Sequence, residues 1–146
     1  MLNGEFNNTL DAKGRLIVPS KVKEALGNEF VITRGLEKCL LVYPMESWQV
    51  MEETRKGLDF FNPTARKFVR FFFGSAVTCE VDNQGRALIP LQLRSWAGID
   101  REVVTVGAGD KLEIWDKQTY DAFVEEEFDP VKLSEDFSSL GVGNKL

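Results

Sequence analysis

The sequence contains no histidine. That removes the side chain most often used as general base, as metal ligand and as partner of a Ser or Cys nucleophile, and it turns the reading away from enzymes. Only two cysteines occur. Cys39 and Cys79 form no CxxC pair, and they fit reduced core thiols of a cytoplasmic protein better than a disulfide or a metal site. No apolar run approaches the length of a membrane span, and the N-terminus lacks a signal peptide's basic start and apolar core. There is also no phosphate-cradling glycine-rich loop, zinc spacing or nucleophile elbow. The expectation is therefore a protein without cofactor, metal or small-molecule substrate, and without a membrane partner.

What is present is a short stretch that occurs twice. Asp11-Ala12-Lys13-Gly14-Arg15-Leu16-Ile17-Val18-Pro19 returns as Asp82-Asn83-Gln84-Gly85-Arg86-Ala87-Leu88-Ile89-Pro90, with Asp, Gly, Arg and Pro at the same spacing. The match continues from Gly27 to Gly98. After one inserted residue it runs on from Leu40, Val42, Tyr43 and Trp48 to Leu112, Ile114, Trp115 and Tyr120. The 146 residues are thus two copies of one unit. A unit that small buries little surface alone, so the two halves should share a core or borrow one from another chain.

A net charge of −5 argues against a polyanionic partner until it is resolved along the chain. Residues 1–71 carry 11 Lys/Arg and 9 Asp/Glu, whereas residues 72–146 carry 7 and 14. The base is local, with Lys13, Arg15, Lys21 and Lys23 within one short stretch, and a polyanion responds to that local field more than to the total. The acid collects after Asp110, at Glu125-Glu126-Glu127 and Glu135-Asp136.

Periodicity and turn residues predict the same element order in both halves. An edge strand ends near Thr9, the Asp11–Gly14 turn follows, and Leu16-Ile17-Val18 forms the second arm of a hairpin with Lys13 and Arg15 at its tip. Pro19-Ser20 opens a short helix to Leu26, with Ser20 as N-cap and Gly27 as the stop. Strands over 30–33 and 40–43, and a helix from Met45 to Lys56 with Trp48 and Met51 inward, complete the unit. The second unit repeats this from Ser75 to Phe128. The predicted organisation is unit 1 over residues 1–57, a connecting helix over 58–74 begun by Asn62-Pro63, unit 2 over 75–128, and a C-terminal helix with a loose tail over 129–146.

The Asp-x-x-Gly-Arg turn has two readings. Asp and Arg can pair across a hairpin for structural reasons alone, with Gly present for its backbone freedom. Alternatively the turn presents its cation to an anion: a guanidinium offers two parallel donors that fit a phosphate, or the O6 and N7 of guanine, while Asp fixes its direction. Other clusters have plainer explanations. Arg66, Lys67 and Arg70 fit a solvated helix face, Phe60-Phe61 and Phe71-Phe72-Phe73 a core or subunit contact, and Glu125 to Glu127 another solvated face. An enzyme would require a carboxylate pair such as Asp11 and Asp82 to meet in space.

Leu10-Asp11-Ala12-Lys13-Gly14-Arg15 with Pro19, and Val81-Asp82-Asn83-Gln84-Gly85-Arg86 with Ile89-Pro90 and Leu93-Arg94, resemble the MraZ family, and Glu113-Ile114-Trp115-Asp116 extends the match over about residues 1–140. The resemblance implies an α+β fold of two tandem AbrB-like swapped-hairpin units, forming a pseudo-twofold β-barrel with flanking helices. It implies ring-shaped homo-oligomers, cytoplasmic and nucleoid-associated, and a transcriptional regulator of cell-division and cell-wall genes that binds repeated short sites on double-stranded DNA. Arg15 and Arg86 then fall on the family's DNA-contacting arginines, with Lys13, Gly14, Lys21, Gly85 and Arg94 around them and Asp11 and Asp82 as motif support. Lys23 stands where Arg94 stands in the second unit, and Lys cannot make the bidentate contact. Gln84 opposite Lys13 leaves the second loop one charge weaker, so the first repeat is expected to bind more strongly. The alternative from another class is an antitoxin-like or scaffold protein that takes a protein partner through its acidic half.

Overall fold

Among the described residues, eight short strands and six helices follow one another in an order that repeats. The first half runs β1 (Glu5–Thr9), β2 (Arg15–Ile17), α1 (Ser20–Leu26), β3 (Glu29–Arg34), β4 (Leu40–Pro44), α2 (Met45–Lys56) and α3 (Pro63–Phe68), which continues as a π-helical turn over Val69–Phe73. The second half runs β5 (Val77–Glu80), β6 (Arg86–Leu88), α4 (Leu91–Ala97), β7 (Glu102–Gly107), β8 (Leu112–Asp116), α5 (Lys117–Glu127) and α6 (Pro130–Phe137), after which the chain kinks at Gly141 (φ +79°). This computed structural model describes residues 1–142. The predicted loose tail falls mostly on 143–146, outside the described residues.

The two halves interleave in one mixed α+β structure. Six strands form an antiparallel sheet in the order β1-β7-β8-β4-β3-β5, and β2 pairs with β6 in a separate two-stranded ribbon. The hairpins expected around each Asp-x-x-Gly-Arg turn do not form. β1 pairs with β7 of the other half, Phe6 opposite Thr105, and β5 pairs with β3, Phe30 opposite Cys79. Each turn holds its arms together only at its base, where Asp11 N–H donates to the Arg15 carbonyl at 3.1 Å and Asp82 N–H to the Arg86 carbonyl at 2.8 Å. Beyond that the arms part, because Leu10 is drawn into the core (1% exposed) and its N–H bonds the Arg101 carbonyl of the other half.

Nor does the sheet close into the expected barrel. Among the described residues its outer strands, β1 and β5, pair only inward. The ribbon covers one face by side-chain packing: Leu16 and Ala87, the single inward residues of β2 and β6, join Val18, Ile89, Phe30, Ile32 and Ile114 in one core cluster, with Val22 and Leu26 of α1 and Leu93 and Ala97 of α4. A second cluster fills the opposite face beneath α2, the π turn after α3, and α5. Its centre is Phe72, 2% exposed, stacked on Trp48 and Phe68 and edge-on to Tyr43. The expected inward residues of α2 are confirmed, Trp48 buried and Met51 half-buried.

Side-chain caps begin α3, α5 and α6, whereas α1, α2 and α4 are each preceded by a proline. Asn62 accepts from Thr64 N–H and Ala65 N–H, Asp116 from Thr119 N–H, and Asp129 from Val131 N–H, each capping the helix it precedes. Ser20 is not a cap. The Pro19 carbonyl already accepts from Val22 and Lys23, so the helix begins one position earlier and Ser20 is its first residue. The aromatic pair Phe60-Phe61 is exposed (75% and 85%) in this chain and contributes nothing to its core. Among the described residues no helix is long and apolar enough to cross a membrane.

Candidate nucleic-acid interface

The two Asp-x-x-Gly-Arg turns are built alike. In the first, Asp11 Oδ1 accepts the N–H groups of Lys13 and Arg15, each at 2.9 Å, and Oδ2 accepts Arg15 Nε at 2.7 Å. In the second, Asp82 Oδ1 accepts the N–H groups of Gln84 and Arg86, each at 2.9 Å, and Oδ2 accepts Arg86 Nε, also at 2.9 Å. Gly14 and Gly85 close the turns at φ +83° and +77°, which is why this position needs glycine. Each N–H donates back to the preceding Asp carbonyl at 3.0 Å.

The carboxylates therefore have two jobs. Accepting backbone donors, they shape the loop; accepting Nε, they leave the outer edge of the guanidinium for another anion. The Arg15 N–H, followed by the Arg15 side chain and the Lys13 N–H, holds the Asp11 carboxyl down at about 2, against the opposing effect of desolvation. Asp82 is lowered for the same reasons, the Arg86 N–H first.

The β2–β6 ribbon brings the turns together. Leu16 faces Ala87 at its centre, Arg15 faces Leu88, and Ile17 faces Arg86. Val18 N–H reaches the Gly85 carbonyl at 2.9 Å and Ile89 N–H the Gly14 carbonyl at 3.0 Å, so each turn is anchored to the other half's strand. With Leu16 and Ala87 inward, the outer face carries Arg15, Arg86, Ile17 and Leu88. Arg86 Nη1 also lies 3.9 Å from Asp11 Oδ2, which couples the loops electrostatically. Neither arginine is a free tip: their side chains are 28% and 25% exposed. Ile17 and Leu88, 59% and 52% exposed, are the members of this face that motif reading overlooked. Their signal was the alternation Arg-Leu-Ile and Arg-Ala-Leu in strands of period two.

This doubled architecture has a counterpart among known proteins. The family model described as MraZ protein, antitoxin-like, matches residues 1–71 and matches again at 72–137. The chain belongs to the MraZ family. It is 42% identical over 142 residues to Transcriptional regulator MraZ of Clostridium tetani, covering 97% of this chain and 100% of that one. To Transcriptional regulator MraZ of Moorella thermoacetica it is 48% identical over 129 residues, 88% of this chain and 90% of the relative. To the protein of that name from Desulfitobacterium hafniense (strain Y51) it is 51% identical over 115 residues, 79% and 80% of the two chains.

Within this chain the remaining motif cations lie at unequal places. Lys13 and Lys21 are exposed, on the first loop and on α1. Arg94, on α4, is half-buried; its Nε donates to the Ile89 carbonyl at 2.9 Å and its guanidinium lies flat against the backbone of Gly14. Lys23, at the matching position of α1, is exposed, and nothing comes near the equivalent face of Gly85. One turn is thus braced by an arginine of the other repeat, and its twin is not.

Proposed function

We propose that this chain is a transcriptional regulator that grips double-stranded DNA with the outer face of the β2–β6 ribbon. The observation that carries the reading is the pair of Asp-clamped arginines, Arg15 and Arg86, set on one face of one ribbon. A two-stranded ribbon fits the major groove, where a guanidinium addresses guanine O6 and N7 and an aliphatic side chain addresses a thymine methyl. Ile17 and Leu88 beside the arginines supply that second type of contact. Lys13 and Lys21 serve the phosphates, and Arg94 supports the first turn through Gly14. Gly85, whose outer side is open, permits close backbone approach, whereas Gly14 is buried beneath the Arg94 guanidinium and serves the turn alone. This division makes the first repeat the stronger of the two.

The regulated genes, in this reading, are those of a cell-division and cell-wall cluster, and the sites are short and repeated. One ribbon makes few contacts, so the units act as AbrB-like swapped-hairpin pairs in a homo-oligomeric ring, whose spaced ribbons turn weak contacts into avidity. The protein works in the cytoplasm on the nucleoid, and it is not an enzyme.

The test is footprinting and gel shift on the DNA upstream of the chain's own gene. Arg15→Ala and Arg86→Ala should each lose roughly tenfold or more in affinity, on the scale of one bidentate base contact per subunit, while fold and assembly are kept. Wild-type affinity should fall steeply between about 50 and 200 mM salt. Retained affinity in a folded, assembled Arg15→Ala protein, or binding indifferent to salt, would refute the proposal.

A further inference from the structure

Beside the first turn stands a cation that the repeated motif does not contain. The ladder between β1 and β7 continues one step past the pair Thr9 and Glu102, where Leu10 N–H donates to the Arg101 carbonyl at 2.8 Å. Arg101 therefore sits across from the residue that leads into Asp11. The second turn is entered in the same way: Val81 N–H donates to the Asn28 carbonyl at 2.9 Å, and Val81 leads into Asp82. Of two equivalent places, one holds an arginine and the other an asparagine. Lys13 and Gln84 differ in the same sense, so both extra charges belong to the first turn.

Arg101 is exposed, and its charge is not used within the chain. It lines a cleft of about 470 Å³ together with Asp100, Glu102, Asp116 and Lys117, yet among the described residues it makes no salt bridge. Of the acids there, Asp116 is engaged by Asp100 N–H and by Thr119. Along β7, Val103 belongs to the core beneath the ribbon and Val104 to the core beneath α5. Arg101 has the parity of the ribbon side, and Glu102 that of the helix side. The other end of the ribbon is flanked as well. Val18 N–H bonds the Gly85 carbonyl, which brings the start of α1, with the exposed Lys21 and Lys23, to the second turn.

We infer that Arg101 is a further DNA contact, one that holds a backbone phosphate at the groove edge while the ribbon enters the groove. With Lys13 it secures the duplex on the first turn's side, as Lys21 and Lys23 do on the second's. Contacts of this kind set register and orientation and carry no sequence information, which leaves base reading to the ribbon. The inference rests on the DNA reading of the ribbon and lengthens its footprint.

Fluorescence anisotropy on the full chain tests it, with a labelled duplex from upstream of the chain's own gene and a scrambled duplex of equal length. Losing one phosphate contact should lower the slope of log affinity against log salt by about 0.9 per bound subunit, which is roughly fivefold per subunit at about 0.15 M salt. Arg101→Gln should show this loss on both duplexes alike, and Arg101→Lys should restore the slope. Lys111→Gln, the same change of net charge at a lysine paired with Asp110, should leave the slope where it was. A wild-type chain that binds neither duplex would overturn the DNA reading itself. Salt-dependent wild-type binding that Arg101→Gln leaves intact would overturn this contact alone. So would a loss confined to the upstream duplex, a loss accompanied by a lower thermal midpoint, or an equal loss in Lys111→Gln.

Discussion

The unequal bracing of the two turns can be measured with alanine. At Gly85 a Cβ meets open space, so Gly85→Ala suffers only from φ +77°. A left-handed non-glycine residue costs about 1–2 kcal/mol, and the stiffer unfolded chain offsets about 0.4–1 of that, leaving about 1 kcal/mol. At Gly14 the same φ penalty applies, but the new Cβ would also stand 2.6–2.8 Å from Cζ, Nε and Nη2 of Arg94. The guanidinium has to move, and it gives up its bond to the Ile89 carbonyl, roughly another 1 kcal/mol for a half-exposed group. Gly14→Ala should therefore destabilise by about 2 kcal/mol, and its melting midpoint should fall about 4 °C further than that of Gly85→Ala. Urea titrations give the free energies and thermal melts the midpoints, all at one fixed protein concentration so that assembly does not enter. The decisive comparison repeats them in an Arg94→Ala background, where the two alanines should become equivalent. Equal effects in the wild-type background, or a gap that survives removal of Arg94, would refute the bracing argument.

Three further outcomes follow from the same geometry. Asp11 is depressed from its ordinary 3.8 to about 2. Its contribution to the first turn is thus complete above pH 3.8 and lost as pH falls toward 2, and carboxyl NMR should show an Asp11 midpoint near 2 that moves up in Arg15→Ala. Phe72→Ala should cost about 3–5 kcal/mol, since it empties the centre of the Tyr43–Trp48–Phe68 cluster; a loss under about 1 kcal/mol would mean that the outer core collapses freely. Burial pushes the thiols up, Cys39 to about 12 and Cys79 to about 11, so mass spectrometry after alkylation at pH 8 should find both unmodified in the native protein and both modified in urea.

Local chemistry was readable from the chain; long-range pairing was not. Asp11, Gly14 and Arg15 define their turn within five residues, and so do Asp82, Gly85 and Arg86, so repetition exposed both loops together. Gly27, Gly57, Asn62-Pro63 and Asp116 set helix ends through bonds that span only a few positions. The partners of β1, β2, β5 and β6 lie in the other half. A three-residue strand such as Arg15–Ile17 has one inward side chain and carries too little pattern to name its partner. A hairpin is the default for two strands about a tight turn, and here it lost to the burial of Leu10 and the exchange of strands between halves. The site was legible in its charged members for the same local reason. Ile17 and Leu88 stayed hidden because their exposure depends on the β2–β6 pairing, and the bracing role of Arg94 because it crosses from α4 to the first loop.

The ribbon also makes the distance between the two guanidiniums a matter of backbone register. Slipping β2 by one residue would turn Arg15 inward and push Leu16 out to solvent, so the reach of one finger cannot be adjusted without re-laying the core beneath its twin. What stays free to drift is the dressing around a fixed pair, where Lys13 answers to Gln84 and Lys23 to Arg94. Under the proposed DNA reading, binding preference is altered one decoration at a time, on a ruler whose length does not change.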